Sequence, residues 1–170
     1  MGRDGMPLEP AFLDDALYDP SGLLIDELLE VDRVKSLVRV RMPTHAQLPI
    51  TVSQRADEKK HPRHVSGGLM VHMTGVAAFA HFFYVLELRH ADGWTGYGVK
   101  IHEAKFLKLA PVGPPVELVC QMVKSKRLGG KILARYKFEF YQEGGKIYEG
   151  DQSALWIDTK IAAGDGGTEL

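Results

Sequence analysis

The sequence predicts a single α+β domain in which an antiparallel sheet wraps around one long central apolar helix at about residues 69–89. Two observations carry that expectation. Residues 69–89 hold almost no charge, with Glu87 and Arg89 only at their far end. Downstream, segments 116–126 and 132–142 alternate apolar with polar residues around Leu128-Gly-Gly130, the mark of half-buried strands joined by a tight turn. A helix that is apolar on every side must be covered on every side. A curved sheet supplies most of such a cover, and a second subunit is expected to supply the rest.

The chain has 170 residues, enough for one domain with a substantial core and too few for two ordinary ones. Lys+Arg number 21 against 22 Asp+Glu, so the basic excess of a nucleic-acid binder is missing. The single cysteine, Cys120, allows no internal disulfide and points to a reducing cytoplasm. Near the start stand Pro7, Pro10, Asp14, Asp15 and Pro20, a pattern that suits neither a signal segment nor a membrane anchor. Residues 69–88 approach membrane-spanning length, but His72, His81 and Glu87 interrupt them and strand patterns flank them. The reading is a buried core helix in a cytoplasmic protein.

Taken in order, residues 1–22 read as an irregular lead-in with a helical turn around 11–17, closed by the turn at Pro20-Ser-Gly22. The domain proper runs over 23–160. Residues 23–32 fit a short helix or a strand equally, whereas Val38, Val40 and Met42 alternate with Arg39 and Arg41 as a strand. Residues 43–60, with Pro43, Pro49 and the cluster Asp57-Glu-Lys-Lys60, are expected to form a mobile loop beside the site. After the helix, residues 91–96 form its end and a turn, and strands are expected at 98–109, 116–126, 132–142 and 147–158. Residues 161–170 read as a flexible, Gly-rich tail.

The stretch His61-Pro-Arg-His-Val-Ser-Gly-Gly-Leu-Met-Val-His72 is the best candidate for a working centre. Glycines let backbone N–H groups approach a ligand, and a helix N-terminus offers unpaired donors at the positive end of its dipole. Three histidines invite a zinc reading, but no Cys, Asp or Glu joins them at a ligand spacing, so no metal and no cofactor is expected.

The order of elements resembles the hotdog fold. Within that fold the chain looks most like the beta-hydroxyacyl-ACP dehydratases, through Leu28-Leu-Glu-Val-Asp-Arg33, Ser66-Gly-Gly-Leu-Met-Val-His72, Glu103-Ala-Lys-Phe-Leu-Lys108 and Pro111-Val-Gly-Pro114. The resemblance implies an acyl-thioester-processing homodimer or higher oligomer acting on acyl-CoA or acyl carrier protein thioesters. A 3-hydroxyacyl dehydratase stands first, a thioesterase second and a non-catalytic acyl binder third. Two positions depart from the family's pattern. His72 stands where the family places an acidic residue on the central helix. Its catalytic partner is either Glu58, at the family's spacing, or one of His61 and His64 if the loop is shorter.

An imidazole can serve as base or acid near neutral pH, and backbone N–H groups at Gly67, Gly68 and Leu69 can hold a thioester carbonyl as enolate or oxyanion character develops. Val76, Phe79 and Phe83 share a helical face with His72 and are candidates for an acyl-chain wall, or equally for core. His81 falls on the opposite face and reads as structural. Lys124, Lys126, Arg127 and Lys131 flank a hairpin turn, either as a solvated face or to meet a carrier's phosphates.

Overall fold

In the computed structural model, which describes residues 5–162, one seven-stranded antiparallel sheet curves around a single long helix. The elements in chain order are β1 (Met6–Pro7), α1 (Pro10–Asp15), α2 (Pro20–Leu23), β2 (Glu27–Asp32), β3 (Leu37–Met42), α3 (Gly67–Tyr84), β4 (Trp94–Phe106), β5 (Val116–Leu128), β6 (Lys131–Gln142), β7 (Gly145–Asp158) and α4 (Thr159–Ala162). The strands lie in the order β1-β2-β3-β5-β6-β7-β4, so β4 forms one edge and pairs only with β7.

The central helix begins two residues earlier and ends five earlier than the expected span of 69–89. Ser66 caps it: the hydroxyl accepts the Leu69 N–H at 3.1 Å, which draws Gly67 and Gly68 into the first turn. Past Tyr84 the chain turns back, the Leu88 N–H donating to the Phe82 carbonyl, and Glu87 adopts a left-handed conformation that no helix continues. Met73, Val76, Ala77, Ala80 and Phe82 are almost wholly enclosed. Their cover is the inner face of the sheet, where Ala134, Tyr136, Phe138 and Phe140 of β6 alternate with outward Arg135, Lys137 and Glu139. On the outer face Asp151 accepts Arg135 through two hydrogen bonds and Lys137 through a third, and that pairing holds its carboxyl well below the usual range.

Of the two options for segment 23–32, the strand is the one that forms, over Glu27–Asp32, and only Leu23 belongs to the short helix that precedes it. Asp19 caps α2 with Pro20 as the first helical residue, Leu24 ends it in a left-handed conformation, and β2 follows with Leu28 inward. β4 starts at Trp94, earlier than its apolar content suggests, because Gly93 supplies the left-handed turn that launches it. The hairpins at 129–130 and 143–144 form at their glycines, with Gly129, Glu143 and Gly144 all at positive φ.

Two regions carry more structure than their composition suggests. The lead-in is packed: Phe12 is buried against Phe83 and Tyr84, and Asp15 accepts the His90 and Ala91 N–H groups. The loop expected to be mobile is cross-linked. Leu48 and Thr51 are buried, and the Arg63 guanidinium donates to the Thr51, Val52 and Gln54 carbonyls. Of the expected tail, residues 161 and 162 close α4, and 163–170 lie outside the described residues. Among the described residues no helix is long and apolar enough to cross a membrane.

Candidate functional site

The first turn of α3 leaves two donors open. Ser66 satisfies Leu69, and Met70 donates to the Ser66 carbonyl, while the Gly67 and Gly68 N–H groups meet no acceptor among the described residues. Gly67 borders a cleft of about 370 Å³ whose walls include His64, Met70, Phe106, Lys108 and Leu109. Phe106 lies so close that a Cβ on Gly67 would stand 2.8 Å from its ring, so any larger residue there would have to push that half-exposed ring aside.

His64 is fixed in this cleft from both sides. Its backbone bridges Pro111, and its N–H and C=O are held by the Gln54 amide. The ring Nδ1 donates to the Pro62 carbonyl at 2.7 Å. That bond assigns the tautomer, since a carbonyl accepts only, and it leaves the Nε2 lone pair available. The His61 ring stands edge-on to His64 at 5.0 Å. Glu58 is exposed in the turn closed by the Asp57–His61 backbone pair. Among the described residues no hydrogen bond joins either His61 or Glu58 to His72.

His72 looks the other way. Its Nε2 donates to the Gly22 carbonyl at 2.7 Å, at the end of α2, and Tyr18 packs edge-on against it at 4.9 Å. Val76 is enclosed and Phe83 packs on Phe12, so this stripe of α3 faces the lead-in segment. Leu69 is core. Thus the structure gathers His61, His64, Gly67 and Gly68 at one end of α3, and sets His72, Val76 and Phe83 under the N-terminal segment.

A second cavity, of about 210 Å³, opens between α3 and strands β4, β6 and β7. Thr74, Gly75 and Ala78 of α3 face Tyr136, Phe138, Ala154 and Trp156 of the sheet, with Phe79 and Tyr18 across the top. Its floor is pinned by a hydrogen-bonded relay. The Trp156 indole N–H donates to Tyr136 Oη at 2.9 Å, the Tyr136 hydroxyl donates to His81 Nδ1 at 3.3 Å, and His81 Nε2–H donates to the Ser36 carbonyl at 3.1 Å. Burial pushes the His81 imidazole down to about 4, against a smaller upward pull from the Ser36 carbonyl, so it is neutral at physiological pH. Sequence reasoning reads His81 as structural, and it finds neither Thr74 nor Trp156. The local signals for this cavity are two glycines, Gly75 in mid-helix and Gly98 inside a strand.

Among the described residues no cluster of His, Cys, Asp or Glu has the arrangement of a metal site. Cys120 is enclosed in the core, where burial raises its thiol well above the usual range.

Comparison with solved structures places the architecture: this is a hotdog domain. It superposes on a thioesterase from Haemophilus influenzae with a TM-score of 0.62 at 16% identity, covering 92% of this chain and 94% of that one. The E. coli PaaI protein aligns with a TM-score of 0.56 at 15% identity over 79% and 85% of the two chains. The zebrafish thioesterase superfamily member 2 aligns with a TM-score of 0.56 at 16% identity over 84% and 88%. At these identities the likeness is one of fold. No protein-family model matches the chain. No curated protein sequence matches it significantly either.

Proposed function

We propose that the chain hydrolyses acyl thioesters at the N-terminal end of α3. The observation that carries this reading is the cleft that His64 and Gly67 share. The neutral His64 ring, donating through Nδ1 to Pro62, carries its lone pair on Nε2, and the unpaired Gly67 N–H lies in the same cleft with that of Gly68 next to it in the helix turn. Hydrolysis needs one base to take a proton from water and donors for the oxyanion that forms when that water adds to the thioester carbonyl. His64 Nε2 supplies the first and the two glycine amides the second. Lys108, at the wall of the same cleft, suits the phosphates of coenzyme A or a carrier prosthetic group. The thioesterases among the fold neighbours support the same class of substrate.

The second reading is dehydration of a 3-hydroxyacyl thioester, which needs an acid as well as a base. It is favoured by one observation, the His61 ring beside His64, which puts two titratable groups at one end of the helix. Purified protein incubated with saturated acyl, 3-hydroxyacyl and enoyl thioesters separates the two by free thiol and enoyl absorbance. Thiol release that falls at least a hundredfold in His64→Ala, on the usual scale for loss of a general base, supports hydrolysis. Interconversion of the last two substrates without thiol release supports dehydration and overturns hydrolysis. Binding without turnover leaves an acyl-binding module.

The working unit in this reading is a homodimer joined through β4. The outer edge of β4 is unpaired over 13 residues, and Ile101 and Phe106, on the helix-facing side opposite Gln152 and Tyr148, are about half exposed. Such an edge pairs readily with a copy of itself. Light scattering is expected to give twice the chain mass, and Ile101→Lys with Phe106→Lys to give the single chain. A monomeric wild type refutes the pairing.

A further inference from the structure

Gly75 and Gly98 are each in the wrong place for local stability. One sits in the middle of α3, where glycine is the weakest ordinary helix former, and the other inside β4, where it weakens a strand. Neither has positive φ, although Gly98 borders an irregularity in the β4–β7 register between Gly98 and Lys100. Neither is needed for packing, because a Cβ built on either meets nothing within 4 Å. What they share is the aromatic cavity between α3 and the sheet: both lie on its rim, and both are exposed there in the single chain. Their absent side chains keep that cavity open.

The cavity has a definite shape and chemistry. Gly75 and Ala78 form one low wall and Gly98 the other, while the rings of Tyr136, Phe138 and Trp156 form a floor that the His81 relay holds in place. No charged side chain lines it. A cavity of about 150 Å³ already accommodates benzene, so this one, at about 210 Å³, takes one ring and little more. It also lies on the same stripe of α3 as the cleft, since Gly67, Val71, Thr74 and Ala78 recur at helical spacing. Seven residues of rise put Thr74 roughly 10 Å along the axis from Gly67.

We infer that the cavity receives the aromatic ring of an arylalkanoyl group, a ring carried on a short methylene chain whose thioester carbonyl lies at Gly67 and Gly68. The placement of the carbonyl rests on the thioester reading; the ring site itself does not. A straight fatty chain fills a slot floored and roofed by rings less completely, and its length exceeds the room.

The test uses the full chain and two neutral alcohols without a thioester, phenylbutanol and the more apolar decanol, followed by tryptophan fluorescence and calorimetry. Phenylbutanol is expected to bind saturably and about tenfold more tightly than decanol. Gly75→Leu and Gly98→Val are each expected to weaken phenylbutanol about tenfold while circular dichroism stays unchanged, both substitutions favouring their own secondary structure. Decanol binding as tightly as phenylbutanol overturns the inference, as does wild-type affinity in both variants. The two proposals fail separately. Phenylbutanol binding with no hydrolysis of any acyl-CoA removes the reaction and keeps the ring site. Hydrolysis that prefers fatty acyl-CoA to phenylbutyryl-CoA removes the ring site and keeps the reaction.

Discussion

Acid should unfold this protein through His81. Its ring is enclosed, and both nitrogens are committed: Nε2 faces the Ser36 carbonyl and Ser36 Oγ, donating to the carbonyl, and Nδ1 accepts from Tyr136. Protonating Nδ1 would make Tyr136 Oη accept from both Trp156 and His81 and cost its hydroxyl proton the acceptor it has in this enclosed site. Desolvation accordingly brings the imidazole from 6.5 down to about 4 in the folded chain. Between those values the unfolded chain binds the extra proton and the folded chain does not, so stability rises with pH across the window. The contribution is fully present above about pH 7 and is lost as pH falls toward 4. Each tenfold difference in proton affinity between the folded and unfolded chain is worth about 1.4 kcal/mol, so the whole effect is on the order of 3 kcal/mol, with about 2 kcal/mol gone by pH 5.

Urea unfolding at fixed protein concentration, from pH 8 to pH 4.5, measures this directly when wild type is set against His81→Leu. The variant should be less stable at pH 8, because Ser36 and Tyr136 lose their partner, yet nearly flat in the window where wild type declines. Asp151 does not obscure the comparison: its carboxyl is held down by Arg135 and Lys137, so its contribution is lost only below the ordinary carboxylate range. Equal slopes for wild type and variant, or an NMR titration of His81 near 6.5, would refute the reasoning.

His72→Ala removes the hydrogen bond to Gly22 and the contact with Tyr18, and is expected to cost about 1–2 kcal/mol in chemical unfolding while sparing thiol release. Loss of turnover with unchanged stability would instead make His72 a participant in the chemistry. The hundredfold loss in His64→Ala, the dimer contact through β4 and the ring selectivity set by Gly75 and Gly98 complete the set, read by thiol release, light scattering and alcohol binding respectively.

The residues alone determined a good deal. The charge-free run predicted a central helix, and the alternations at 116–126 and 132–142 with their glycine turns predicted antiparallel strands. The first is a long apolar run and the second a period-2 alternation, and both survive in one dimension because burial of an element is repeated along it. The helix start was legible to within two residues for the same reason, being local in sequence.

What the tertiary structure alone decided is which side chains meet. His72 and His64 both looked catalytic as letters, but a hydrogen bond to Gly22, 50 residues away, turns one ring toward the lead-in, while Pro62, two residues away, fixes the tautomer of the other. The aromatic cavity draws its walls from α3, β4, β6 and β7, so no stretch of the chain contains it. One of its traces in the sequence was a glycine in mid-helix, a residue that costs helix stability and gains meaning only once the strand across from it is in place. Hydrophobic patterning sets which face of each element is buried. The long-range pairing of those faces sets which part of the fold each histidine ring faces and what the remaining space admits.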